Sequence, residues 1–146
     1  YEQQSLGFNY RLSDIHAALG SSQMKKISKF AERRNEIRNL YIKNLTGLVR
    51  LQHSPKESVT SNHLFIIRVP QNKHKEIFVK LREKNIFVGL HYMPVHLNPF
   101  YKKIGFEKGM FPEAEAYSKE AISLPMFPKL QNREIKFVLS NLKKLL

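Results

Sequence analysis

The sequence has no cysteine. That excludes disulfides and thiol chemistry, and it agrees with a cytoplasmic protein. No run of about 18 apolar residues occurs, so no membrane-spanning helix is expected. The first residues, YEQQSLGFNYR, lack the basic-then-apolar layout of a signal peptide, and they do not begin with Met. The chain is therefore expected to be cut from something longer. Acidic residues are few: 12 Asp and Glu stand against 25 Lys and Arg, a formal net charge of +13. Such an excess suits an anionic partner: a nucleic acid, an acidic membrane surface or a nucleotide-linked substrate. Yet the lysines are scattered from Lys25 to Lys144. No block of five or six like charges forms, and no basic run is interleaved with aromatics, so solvated helix faces account for them and nucleic acid is not expected. A helix-turn-helix also fails, because the second predicted helix is long. Neither G-x-G-x-x-G nor a Walker lysine motif is present.

What remains is an ordinary globular composition. The 146 residues, 42% hydrophobic and 25% charged, suit one domain that buries roughly 70% of its unfolded surface. Apolar spacing predicts a helix over Ser13–Ile27, with Ile15, Ala18, Leu19 and Met24 as its stripe, and a second with Phe30, Ile37, Leu40, Tyr41 and Leu45 inward. Gly47 stops the second helix. Strands are predicted at Leu48–Gln52, His63–Val69 and Ile86–Leu90, with a mobile polar loop at 53–62 between the first two. Helices are predicted at Lys73–Lys84, near Pro99–Ile104, over Pro112–Ile122 and from Asn132 to the end. The expectation is an α/β fold, a short sheet of three strands with helices packed on one face. A helical segment, 1–46, leads into a small α/β domain, 47–146.

The most informative stretch is GFNYRLSDIHAALGSSQ, residues 7–23. Period-2 alternation in Phe8-Asn9-Tyr10-Arg11 places Asn9 and Arg11 on one side and the two rings on the other. An amide beside a guanidinium fork suits phosphate oxygens, and the rings can anchor the strip by burial. Ser13 is a natural N-cap, with Asp14 in the first turn. The plainer alternative is a surface loop entering a helix.

The second cluster is His91-Tyr92-Met93-Pro94-Val95-His96. Pro94 holds Met93 extended, so the histidines project from a stiff loop after a strand. Their spacing of five is off helical register and the nearest carboxylate in sequence is Glu107, so no metal site is expected. Acid–base work by His91 or His96 and a purely structural turn both stay open. Glu113 and Glu115, two apart on a helix, point in different directions and read as first-turn charges. Gly105–Pro112 reads as a turn between helices, and Ser123–Pro128 as a core-lining connector.

GFNYRLSDIHAALG with its following Gln-x-x-Lys helix, HYMPVHLNPFY (91–101) and GFEKGMFPEAEAYSKEAISLPMFPKL (105–130) together resemble the sugar aminotransferases of the DegT/DnrJ/EryC1/StrS family. These are fold type I enzymes that use pyridoxal 5'-phosphate (PLP). The later blocks are most similar to transaminases acting on UDP-linked 4-keto-6-deoxy-hexosamines, as in making the altrosamine precursor of pseudaminic acid. The resemblance implies the small C-terminal domain of such an enzyme, with a short sheet and flanking helices. It implies that Asn9 reaches the cofactor phosphate of a dimer partner and that Arg11 helps hold cofactor or substrate phosphates. It also implies that Tyr10, His91, Tyr92, His96 and Phe111 border the nucleotide-sugar pocket. The implied substrates are a nucleotide sugar and glutamate, and the implied assembly is a homodimer with shared active sites. The Schiff-base lysine and the aspartate on the pyridine nitrogen precede the GFNYR segment in the family. No lysine here has that context, so no catalytic residue is assigned and the chain alone is expected to be inactive. The rival from another class is a non-catalytic basic module that binds nucleic acid or an acidic partner.

Overall fold

Alternating and helical spacing translate, among the described residues, into ten helices and strands and one short 3-10 segment. The computed structural model describes residues 7–8, 10–53 and 60–146. In chain order the elements are α1 (Asp14–Met24), α2 (Ile27–Leu45), β1 (Arg50–Leu51), β2 (Phe65–Arg68), α3 (Gln71–Glu83) and β3 (Gly89–Leu90). A single 3-10 turn (Val95–Leu97) follows, then α4 (Pro99–Lys103), α5 (Pro112–Ser118), β4 (Ala121–Leu124) and α6 (Asn132–Lys143). Most of the loop expected at 53–62 lies outside the described residues. No described helix is long and apolar enough to cross a membrane.

The four strands form one antiparallel sheet in the order β1-β2-β4-β3. This corrects the expectation of three strands. The 112–122 segment reads as one helix, but α5 stops at Ser118 and Ala121–Leu124 becomes an inner strand with all four residues buried. Pairing on both sides, with β2 and with β3, outweighs the local helical spacing. The expected strand 86–90 shortens to Gly89–Leu90, because Ile86 and Val88 turn into the core before pairing begins.

The register Phe65↔Leu124 and Ile67↔Ile122 sets those four side chains on one face of the sheet. They meet Ile37, Tyr41 and Leu45 of α2, Ile77 and Leu81 of α3, and Ile135, Val138, Leu139 and Leu142 of α6. Each helix offers residues three and four apart, which line one stripe. Tyr41 packs at 4.9 Å against Phe65, the rings tilted by 38°, and donates its hydroxyl to the Pro125 carbonyl at 2.9 Å. A capping box starts α6: the Gln131 N–H donates to Glu134 Oε2 at 2.7 Å. On the opposite parity Ile66 pairs with Ser123, so both face away from that helix layer.

One helix stands apart. α1 has no buried residue, and Ile15, Leu19 and Met24 are exposed. The predicted stripe is present, but no described residue covers it.

Candidate functional site

Edge strand β3 delivers the chain into the 91–96 loop, and inward-facing oxygens hold that loop at both ends. His91 Nε2 lies 2.6 Å from Ser123 Oγ on β4, and the His91 ring meets Tyr92 edge-on at 4.8 Å. His96, in the 3-10 turn, donates from Nε2 to Glu115 Oε1 at 3.0 Å and packs at 4.8 Å against Phe111. Tyr92 is 76% exposed, whereas His96 and Glu115 are each 7% exposed. His96 is thus buried and His91 half-buried, and Tyr92 and Phe111 are left as the outward rings.

Glu115 corrects its reading as a mere first-turn charge. Its Oε1 also accepts the Gly109 N–H at 2.6 Å. Gly109 takes a left-handed φ of 97°, which a residue without Cβ adopts freely. The Gly109 amide first, and His96 second, hold the Glu115 carboxyl below the ordinary glutamate value. Buried charge is tolerated only when donors face it, and here two do. Sequence gave no sign of this contact, because the partners come from 6 and 19 residues away.

The N-terminal arm is different. Phe8 and Tyr10 stack at 5.3 Å with an interplanar angle of 17°, so the two rings lie together. They are not anchored by burial, being 84% and 89% exposed. The Tyr10 N–H donates to the Phe8 carbonyl at 3.0 Å. Arg11 is exposed, and Asn9 lies outside the described residues. Ser13 caps α1 as expected, its Oγ accepting from the His16 N–H at 3.5 Å.

The model of the DegT/DnrJ/EryC1/StrS aminotransferase family matches residues 1–143. The chain belongs to this family. It is 33% identical to the UDP-4-amino-4,6-dideoxy-N-acetyl-beta-L-altrosamine transaminase of Campylobacter jejuni, over 97% of this chain and 39% of that protein. Helicobacter pylori PseC, an aminotransferase involved in pseudoaminic acid biosynthesis, superposes with a TM-score of 0.87 at 27% identity, over 99% of this chain and 40% of that one. Spr1654 of Streptococcus pneumoniae, solved in a PMP form, gives 0.86 at 28% identity, over 92% and 35%. The α/β layout, a small antiparallel sheet with flanking helices, is that of fold type I sugar aminotransferases. The chain spans about two-fifths of the length of the curated relatives it matches, 39% for the first three with that share.

Pyridoxal phosphate is the cofactor of this family, and Spr1654 is known in both PLP and PMP forms. Arg11, the one described member of the Asn9/Arg11 pair expected at the phosphate end, carries guanidinium donors of the type that suits a phosphate. The ring end is not served here: no described lysine is buried, and the half-buried Lys73 is bonded through Nζ to the Leu146 carbonyl.

Proposed function

We propose that this chain is the small C-terminal domain of a cytoplasmic aminotransferase that transfers the amino group of glutamate to a keto-sugar carried on UDP, for cell-surface glycan synthesis. The observation that carries this reading is the outward arm. A stacked aromatic pair, Phe8 and Tyr10, and the apolar stripe of α1 are exposed, and no described residue buries that stripe. Such an arm suits a second subunit, and its donors suit a phosphate in that subunit's site.

In this reading the whole protein is a homodimer with shared sites, and residues 1–46 link the domain to a larger one. Asn9 and Arg11 bind phosphate oxygens of the cofactor or substrate across the interface. Pyridoxal phosphate, when bound, supplies the electron sink that lets an amino group move between carbons. Tyr10, Tyr92 and Phe111 border the sugar, and His91 and His96 shape that border from behind. The excess of positive charge draws in a nucleotide diphosphate.

The test uses the full-length protein, with glutamate and UDP-4-keto-6-deoxy-N-acetylhexosamine, read by mass spectrometry of the nucleotide sugar. An amino-sugar product is expected from the full-length protein and none from the 146 residues alone. No product from any nucleotide keto-sugar, together with nucleic-acid binding that weakens steeply with salt, would overturn the reading in favour of a basic binding module.

A further inference from the structure

Two chains of contact in this molecule repeat one pattern: an outward aromatic ring, an imidazole behind it, and an inward oxygen behind that. One runs Tyr92–His91–Ser123, the other Phe111–His96–Glu115. The two inner oxygens belong to neighbouring elements, β4 and α5. They differ in what else they hold. The Glu115 carboxylate also takes the Gly109 N–H, on the same Oε1. It therefore ties three segments together: the 3-10 turn after the 91–94 loop, the glycine turn before Phe111, and its own helix.

We propose that Glu115 is a positioning residue for sugar recognition, setting Phe111 against the 91–96 loop so that Phe111 and Tyr92 present their rings to one sugar. The proposal rests on the nucleotide-sugar reading above and deepens it. A pyranose shows one face of C–H groups, which an aromatic ring covers well, and a rim of hydroxyls. Two rings carried on separate loops grip such a ligand only if their spacing is fixed beforehand, since ordering them on binding costs affinity. Glu115 fixes it with two charge-assisted hydrogen bonds, the one from His96 buried and the one from the Gly109 N–H partly buried. The residue itself is turned away from solvent, so it acts through His96, Gly109 and Phe111.

The experiment compares full-length wild type with Glu115→Gln and Glu115→Ala in both half-reactions. Glu115→Gln keeps an oxygen acceptor, and its KM for the nucleotide sugar is expected within about threefold of wild type. Glu115→Ala is expected to raise that KM about tenfold, with the KM for glutamate unchanged. Equal rises in both KM values, or no rise in either, would overturn the proposal. If the alanine variant does not fold, Glu115→Asp replaces it, since drawing the carboxylate back by one methylene should give the same selective rise. A wild type that aminates no nucleotide sugar would sink the functional reading instead. The positioning claim is then judged by the His96 Nε2–H resonance, which must be exchange-protected in wild type and lost in Glu115→Ala; an unprotected proton in wild type overturns it.

Discussion

His91 Nε2 and Ser123 Oγ, 2.6 Å apart, pin the loop that leaves the sheet's edge to its inner strand. Gly89 makes room for this bond. A Cβ there would sit 2.8 Å from Ser123 Oγ and 3.5 Å from His91 Nε2, so the hydroxyl would have to move. Gly89→Ala is expected to cost about 1–2 kcal/mol from overpacking and the lost bond. In a Ser123→Ala background the same change should cost less than half as much. Thermal melts of the four proteins in this double-mutant cycle check the claim, and simple additivity would refute it.

The Glu115 carboxyl is held below the ordinary value of 4.5 by the Gly109 amide and His96, with Lys119 contributing. A lowered folded-state pKa means that the contribution to stability is complete above the unfolded value and is lost as pH falls through the folded one. The melting-temperature gap between wild type and Glu115→Gln should therefore be widest above about pH 5 and close progressively below pH 4.5. Melts across that range decide it. A gap that stays constant with pH would mean the carboxylate is not specially held.

Much of this fold is written in residue spacing, and the exceptions share a cause. Ile37, Tyr41 and Leu45, and Ile135, Val138, Leu139 and Leu142, announce α2 and α6 because one helix face must find the core. β4 was not legible, since Ala121–Leu124 is a strand only by virtue of partners more than fifty residues away in β2 and thirty away in β3. Glu115 was hidden for the same reason: helix-start carboxylates are common, and nothing local says that one is buried under a histidine. At the arm, alternation groups Phe8 with Tyr10, and those two rings do stack on each other. It could not say what they would pack against, because burial depends on a neighbouring surface.

Tyr41 gives a test of the core itself. It is fully buried, burial raises its phenol well above the usual range, and its hydroxyl reaches the Pro125 carbonyl. Tyr41→Phe keeps the ring on Phe65 and removes one hydrogen bond, so a loss of about 1 kcal/mol is expected. Urea unfolding at constant m-value measures it. Ile122→Ala, which opens a cavity where β4 meets the helices, should cost more, about 2–5 kcal/mol.

α1 yields the prediction that bears most on assembly. Its 11 residues bury nothing, and a helix that short is marginal in water without packing. In the 146-residue chain its amides should exchange with solvent far faster than those of α6, whose stripe is buried. Ile15→Lys with Leu19→Lys should then change the melting of this chain by less than about 0.5 kcal/mol, as exposed positions do. In the full-length protein the outcome should reverse. If the stripe is covered by a second subunit there, two buried charges with no partner would weaken self-association strongly. Sedimentation of the full-length double variant should show monomer where wild type shows dimer. A dimer of undiminished strength would place the subunit contact elsewhere and remove the reason for assigning Asn9 and Arg11 to a partner's phosphate.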